Sequence, residues 1–109
     1  MSYKMLIEIQ RCFATDRILY TRHALEEMQS EEFGEIKDQE VSEAISQGKA
    51  IENYPEDEPY PSCLLYGKTQ AGRPLHMVCA YDSESDIVII VTVYQPDPNR
   101  WIDFERRMP

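Results

Sequence analysis

The stretch SCLLYGKTQAGRPLHMVCAYDSESDIVIIVTVYQ, residues 62–95, decides the fold. It contains three runs rich in β-branched and aromatic residues, separated by the turn sequences Ala71-Gly72 and Ser83-Glu84-Ser85. Runs of this kind, joined by such short turns, are typical of antiparallel hairpins. The stretch therefore predicts a three-stranded meander, with adjacent strands over 63–69, 74–82 and 86–95.

The register of this meander assigns side chains to the two faces of the sheet. A two-residue turn at Ala71-Gly72 pairs Gly67 with His76, and a three-residue loop at 83–85 pairs His76 with Thr92. The face opposite the helices then carries His76, Gly67, Thr92 and Tyr94, because side chains alternate along a strand. The helices are expected on the continuous apolar face, which carries Leu75, Met77, Cys79, Tyr81, Ile87, Ile89, Val91 and Val93.

Three amphipathic helices are predicted before the meander. The first spans residues 2–13, and the second begins after the N-cap Thr21. The third begins at its cap, Asp38, and ends at Gly48 in the left-handed conformation. The inward-facing residues of these helices are Met5, Leu6, Ile9, Phe13, Ala24, Leu25, Met28, Val41, Ala44 and Ile45.

The connecting segments complete the predicted fold. DRILY (16–20) predicts a short extended link, and KAIENY (49–54) predicts a short strand. The proline-rich acidic sequence YPEDEPYP (54–61) predicts a loop. The last segment, DPNRWIDFERRMP (97–109), predicts a turn followed by a short helix. The fold class is therefore α+β, with N-terminal helices packed on one face of a small antiparallel sheet.

Length and composition predict a single globular domain over residues 1–109. Hydrophobic residues make up 42% of the chain and charged residues 28%, which are ordinary values for a globular protein. The longest apolar run, Ile87–Val93, is interrupted by Thr92 and is too short to span a bilayer. The three cysteines show neither metal-ligand spacing nor a disulfide framework, and no secretory leader opens the chain. We expect a cytoplasmic protein with no cofactor and no membrane association.

Negative charge is concentrated in residues 26–58, which we call the acidic segment. It holds twelve acidic residues against Lys37 and Lys49, whereas the net charge of the whole chain is −9. Two interpretations follow: the segment is a solvated helix surface, or it is a docking surface for a basic partner. We expect it to lie away from the main cationic residues and from His76, because its carboxylates would otherwise repel a phosphate. Those cationic residues are Arg22, Lys68, Arg73 and Arg100.

Histidines, cationic side chains and tyrosine hydroxyls are the groups that metal-free cleavage of RNA requires. A base takes the proton from the 2′-hydroxyl, an acid protonates the leaving oxygen, and arginine or lysine stabilises the phosphorane. The candidate catalytic residues are Arg22, His23, His76 and Tyr94. The candidate substrate-binding residues are Lys68, Arg73, Arg100 and Trp101.

Each candidate also has a purely structural interpretation. Arg22 and His23 lie four residues before Glu26 and Glu27, so both pairs could simply stabilise a helix. His76 could be a half-buried histidine with satisfied hydrogen bonds. The remaining structural roles are edge packing for Tyr94 and Trp101 and solvation of the first hairpin turn for Lys68 and Arg73.

Four segments in this order resemble a known family of domains of unknown function, numbered 4258. They are YTRHALEEM, DQEVSEAISQGKAIENYPEDEPYPSCLLYG, GRPLHMVCAYD and VTVYQPDPNRW. The resemblance covers roughly residues 18–103 and leaves 1–17 as a helical extension. It implies a RelE-like or MqsR-like ribonuclease fold and matches family positions at His23 with Arg22, at His76, and at Tyr94 and Trp101.

The same resemblance implies a biological setting. Such proteins are similar to the toxin components of type II toxin–antitoxin systems, encoded beside a zinc-finger antitoxin of the YgiT type. We therefore expect a metal-independent endoribonuclease acting on RNA, with an antitoxin bound through a basic segment. The alternative is a non-catalytic module that uses its acidic helices to dock a basic partner.

Overall fold

The computed structural model describes residues 2–109, and its architecture is α+β, as predicted. Five strands form one sheet in the order β1-β5-β4-β3-β2, and β6 pairs with β7 in a separate hairpin. None of the helices in residues 2–109 is long and apolar enough to cross a membrane. The helices are α1 (Ser2–Ala14), α2 (Arg22–Ser30) and α3 (Asp38–Ser46). The strands are β1 (Ile18–Tyr20), β2 (Lys49–Tyr54), β3 (Ser62–Lys68), β4 (Pro74–Asp82), β5 (Ile87–Tyr94), β6 (Trp101–Ile102) and β7 (Arg106–Arg107).

The predicted meander β3-β4-β5 is confirmed, but the sheet is mixed rather than antiparallel. The segment predicted as an extended link contains β1, which pairs in parallel with β5. Ile18 and Tyr20 pack against the core, while Leu19 is 57% exposed. A strand of three residues is too short for its alternation to be recognised in the sequence.

The predicted register between β3 and β4 is wrong by one residue. Tyr66, not Gly67, lies opposite His76. The connection between the strands is longer than two residues, because the N–H of Thr69 donates to the carbonyl of Arg73 and extends the ladder by one pair. Gly72 takes φ +90° in this connection.

The register between β4 and β5 also differs, for two reasons: the connection has four residues, so that Asp82 lies opposite Ile87, and a bulge follows further along. Cys79 lies opposite Ile90, whereas Val78 lies opposite Thr92, so Val91 is the extra residue. The longer connection turns Val88 and Ile90 towards the core, and the bulge then reverses the alternation in the rest of β5. Its core residues are therefore Val88, Ile90 and Val93, rather than the predicted Ile87, Ile89, Val91 and Val93. The core residues predicted for β4 are confirmed: Leu75, Met77 and Cys79 are fully buried, with Tyr81 packed against them.

The three predicted helices are confirmed, but some of their end residues and one core residue are not. Thr21 caps α2 as predicted, its hydroxyl accepting from the N–H of Ala24 at 3.0 Å. Leu25, by contrast, is 49% exposed, because only Ala24 and Met28 of this helix are buried.

The predicted ends of α3 need correction. Asp38 is the first helical residue and Lys37 is the N-cap. The N–H of Lys37 donates to the Glu40 carboxylate at 2.9 Å, while the Asp38 carboxylate accepts from the Tyr20 hydroxyl. Gly48 follows the C-cap Gln47 and lacks the positive φ that was predicted for it.

Helix α3 packs directly on strand β3 at Gly67. A Cβ atom added to Gly67 would lie 1.9 Å from the carbonyl oxygen of Ala44, far inside van der Waals contact. Only a residue without a side chain permits this approach. The close contact brings Val41, Ala44 and Ile45 into the core beneath the sheet.

Two cysteines that are distant in the sequence are cross-strand neighbours. Cys63 on β3 lies opposite Cys79 on β4, and both are fully buried free thiols. Burial raises the pKa of Cys63 to about 11, so the thiol stays protonated at neutral pH. Both cysteines therefore pack in the core as small apolar side chains.

The helix predicted at the C-terminus is wrong. Residues 101–107 form the β6–β7 hairpin, which we call the C-terminal hairpin. Asp103 and Phe104 have φ values of 54° and 62°, and the N–H of Glu105 donates to the carbonyl of Ile102 at 3.0 Å. Positive φ at both central residues is the signature of a type I′ turn, which is normally found with Asn-Gly rather than Asp-Phe.

Two glycine substitutions separate steric exclusion from backbone conformation. In Gly67→Ala the new methyl group has no space, so we expect the free energy of unfolding to fall by more than about 3 kcal/mol. In Gly72→Ala the methyl group meets no atom within 4 Å, and only the left-handed backbone opposes it. That loss should be about 1–2 kcal/mol. Chemical denaturation of both variants measures the difference, and equal losses would show that α3 can shift away from β3.

Candidate functional site

His76 is at the centre of a polar and aromatic cluster on the face of the sheet opposite the helices. Its side chain is 0% exposed. Nδ1 lies 3.0 Å from the Tyr94 hydroxyl, and Nε2 lies 2.6 Å from the backbone carbonyl oxygen of Phe104. The Trp101 ring stands edge-on to the imidazole, with 4.4 Å between centroids. Tyr94 is adjacent because the bulge in β5 places it directly opposite His76.

These two hydrogen bonds determine the tautomer of His76. A backbone carbonyl only accepts hydrogen bonds, so Nε2 carries the hydrogen. Burial lowers the pKa of His76, and Nδ1 is therefore an unprotonated acceptor at neutral pH. It follows that the Tyr94 hydroxyl donates its hydrogen to Nδ1. We call the ordered set Phe104 carbonyl, His76 and Tyr94 the relay.

The relay ends at a cavity of about 750 Å³. Tyr94 and Trp101 line this cavity together with Arg100 and Arg107. Phe33, from the connection between α2 and α3, also lines it, with Glu31. The cavity is therefore lined by two arginines, two further aromatic residues and the tyrosine whose hydroxyl is bonded to a neutral histidine.

Arg107 was not among the residues predicted from the sequence. Its guanidinium bonds to both oxygens of Glu52 at 2.8 and 3.0 Å and lies over the Trp101 ring at 4.8 Å. The hydrogen bonds from Arg107 lower the pKa of Glu52. The sequence predicts a helix for this segment. It therefore gives no sign that Arg107, and not Arg106, lines the cavity.

Acidic and cationic residues share this cavity, so the predicted separation of the acidic segment is wrong. Glu31, Glu32 and Asp97 line the same walls as Arg100. Glu31 accepts from the backbone N–H of Gln95 at 3.0 Å and joins the end of α2 to the end of β5. This link fixes the connection between α2 and α3 beside the cavity. For this reason Glu31 and Glu32 of the acidic segment line the cavity.

Arg73 contacts the acidic segment and does not line the cavity. It contacts Glu40 at 3.2 Å, Gln95 Oε1 at 2.6 Å and the carbonyl of Gly34. These contacts tie the β3–β4 turn to the connection between α2 and α3. Because its guanidinium already donates to these partners, Arg73 stabilises the fold and is not placed to bind a phosphate.

The Arg22-His23 pair lies on the exposed surface of α2. Arg22 is 91% exposed with Glu26 at 3.8 Å, and His23 is 66% exposed with Glu27 at 3.3 Å. These are the helix-stabilising pairs of the structural interpretation. Lys68 lies elsewhere again, at a second depression that it shares with Lys49 and Tyr66.

Four of the eight predicted site residues therefore meet and four do not. One cavity is lined by Tyr94, Arg100 and Trp101, and His76 contacts the first and last of these. The residues that lie apart from the cavity are Arg22, His23, Lys68 and Arg73. Among residues 2–109, no group of three or more His, Cys, Asp or Glu side chains is placed to hold a metal ion.

Comparison with known proteins gives one match. The model of a family described as "Domain of unknown function (DUF4258)" matches residues 20–95. No curated protein and no solved structure matches the chain. The matched region includes α2, α3, β2 to β5, His76 and Tyr94, but not α1 or the C-terminal hairpin.

His76 is expected to titrate below its ordinary pKa of 6.5. Because the folded state disfavours the imidazolium, its contribution to stability is complete above the unfolded pKa and decreases as pH falls below it. Imidazole ¹⁵N signals recorded across a pH series measure the folded pKa, and the variant His23→Gln assigns the two histidines. A His76 signal titrating at or above 6.5 would contradict the buried neutral ring.

Proposed function

The chain belongs to the DUF4258 family, and from that premise and the relay we propose that it is a metal-independent endoribonuclease. Its proposed setting is the cytoplasm, as the toxin of a type II toxin–antitoxin pair whose antitoxin is of the zinc-finger YgiT type. One observation carries the enzymatic proposal: Tyr94, whose hydroxyl is bonded to the neutral Nδ1 of a buried histidine, lines a cavity with Arg100.

The relay supplies the base for 2′-hydroxyl attack. The Tyr94 oxygen accepts the proton of the ribose 2′-hydroxyl while its own proton moves to Nδ1 of His76. The 2′-oxygen then forms a bond to phosphorus, and the bond from phosphorus to the 5′-oxygen breaks. Water protonates the departing 5′-oxygen, and the products are a 2′,3′-cyclic phosphate and a 5′-hydroxyl. His76 finally returns its proton through Tyr94 to solvent.

The surrounding charges suit these steps. Burial raises the pKa of Tyr94, so the residue acts as a neutral hydroxyl that passes a proton and not as a phenolate. Arg100 and Arg107 line the same cavity as Tyr94, and in this proposal Arg100 stabilises the negative charge of the phosphorane. Since His76 must be neutral to accept a proton, activity should fall as pH drops through its lowered pKa.

Substitution of Tyr94 tests the proposal most directly. Tyr94→Phe keeps the ring and removes the hydroxyl, so we expect RNA cleavage to fall by about a hundredfold or more. Arg100→Gln should also reduce the rate, since it removes charge at the phosphorane. Cleavage of a labelled single-stranded RNA and growth arrest on expression are the measurements.

The matched controls are Arg22→Gln and His23→Gln, which remove the other predicted catalytic residues from the exposed face of α2. Both variants should cleave RNA like the unchanged protein. Full activity in Tyr94→Phe, or loss of activity in either control, would contradict the placement of the reaction at this cavity.

A second candidate function is supported by the carboxylates in the cavity. Glu31, Glu32 and Asp97 favour a cationic ligand over a phosphate, so a non-catalytic module that docks a basic partner remains a proposal. Titration with RNA across a salt series separates the two functions. Binding through Arg100 should weaken steadily as salt rises. No binding at low salt, together with binding of a lysine- and arginine-rich peptide, would favour the docking module.

A further inference from the structure

The C-terminal hairpin contributes one atom to the relay, the carbonyl oxygen of Phe104. This oxygen is 2.6 Å from Nε2 of His76 and is the only partner of that nitrogen within the described residues. It is a main-chain atom, so its position depends on the conformation of the turn and not on a side chain. The turn is formed by Asp103 and Phe104, both with positive φ.

Contacts on both sides hold the hairpin against the sheet. Arg107 bonds to Glu52 on β2, and Glu105 pairs with Lys49 of the same strand at 2.7 Å. The Phe104 ring packs against Tyr66 on β3, with 6.2 Å between centroids. The Phe104 carbonyl is thus held by contacts to β2 and β3, in addition to the packing of Trp101 on His76.

We propose that the C-terminal hairpin is the positioning element of the relay, and that the Phe104 carbonyl sets which ring nitrogen of His76 can accept a proton from Tyr94. With the hydrogen on Nε2, the Tyr94 hydroxyl donates to Nδ1, and its lone pairs are available to a proton from the substrate. With the hydrogen on Nδ1, the Tyr94 oxygen would accept from His76, and the ring could no longer take its proton. The catalytic consequence rests on the function proposed above, whereas the control of the tautomer does not.

This inference explains the sequence at the turn. Asp is common at the first central position of a type I′ turn, but Phe is unfavourable at the second, because bulky side chains rarely adopt positive φ. Phe104 nevertheless occupies the position whose carbonyl reaches His76 and whose ring reaches Tyr66. The hairpin lies outside the matched family region, so a segment beyond residues 20–95 completes a relay whose other two members, His76 and Tyr94, lie within it.

Asp103→Pro and Asp103→Gly form a matched pair for the experiment. The Asp103 side chain is exposed, so neither change removes a buried contact. Proline fixes φ near −65° and cannot adopt the native 54°, whereas glycine adopts it readily. Long-range ¹H–¹⁵N spectra of the imidazole identify which nitrogen of His76 carries the hydrogen, and thermal melting checks that each variant is folded.

The unchanged protein and Asp103→Gly should show hydrogen on Nε2. Asp103→Pro should lose this preference and, if the protein cleaves RNA, should lose about a hundredfold in kcat with KM unchanged. Hydrogen on Nδ1 in the unchanged protein, or an unaltered tautomer in folded Asp103→Pro, would overturn the proposal. Hydrogen on Nδ1 in the unchanged protein would overturn the proposal even if Asp103→Pro fails to fold. A tautomer that switches in a protein that never cleaves RNA would sustain the positioning role and reject the ribonuclease.

Discussion

The burial of a neutral imidazole is the constraint on which the C-terminal part of this fold depends. A buried polar atom without a hydrogen-bond partner costs about 1–3 kcal/mol, and His76 has two such atoms. Tyr94, directly opposite on β5, satisfies one of them, and the C-terminal hairpin satisfies the other. The left-handed conformation of Phe104 in that hairpin costs about 1–2 kcal/mol, whereas Asp103 adopts it more readily. The bond to Nε2 and the packing of Trp101 against His76 offset this cost.

The sequence predicts the elements of this fold better than their alignment. Apolar periodicity identified the helices and the meander, because each of these elements is long enough to show its period. Register depends instead on the geometry of turns and bulges. The additional ladder pair at Thr69 and Arg73 and the extra residue Val91 leave no clear mark in the sequence. Both errors displaced the predicted neighbours of His76, since a slip of one residue changes every pair in a ladder.

The candidate site was predictable in its chemistry and only partly in its composition. His76 and Tyr94 were recognised as reactive types on one face of the sheet, and the structure places them in direct contact. The roles of Phe104 and Arg107 could not be predicted, because one acts through its backbone and the other lies in a segment interpreted as a helix. Arg73 was misplaced for a similar reason: its partners, Glu40 and Gln95, are brought to it by tertiary structure alone.

The mixed charge of the cavity bears on how catalysis there would work. Glu52 offsets the charge of Arg107, and Glu31, Glu32 and Asp97 line the same cavity as Arg100, so the cavity offers a phosphodiester little attraction in the ground state. A site that binds its substrate weakly gains rate only from interactions that strengthen in the transition state. In the proposed reaction the relay would be such an interaction, because the Tyr94 oxygen and Nδ1 of His76 would gain protons only as the 2′-oxygen attacks. Weak affinity for RNA is therefore compatible with cleavage, provided that the tautomer of His76 is fixed beforehand, and in this chain the Phe104 carbonyl is placed to fix it.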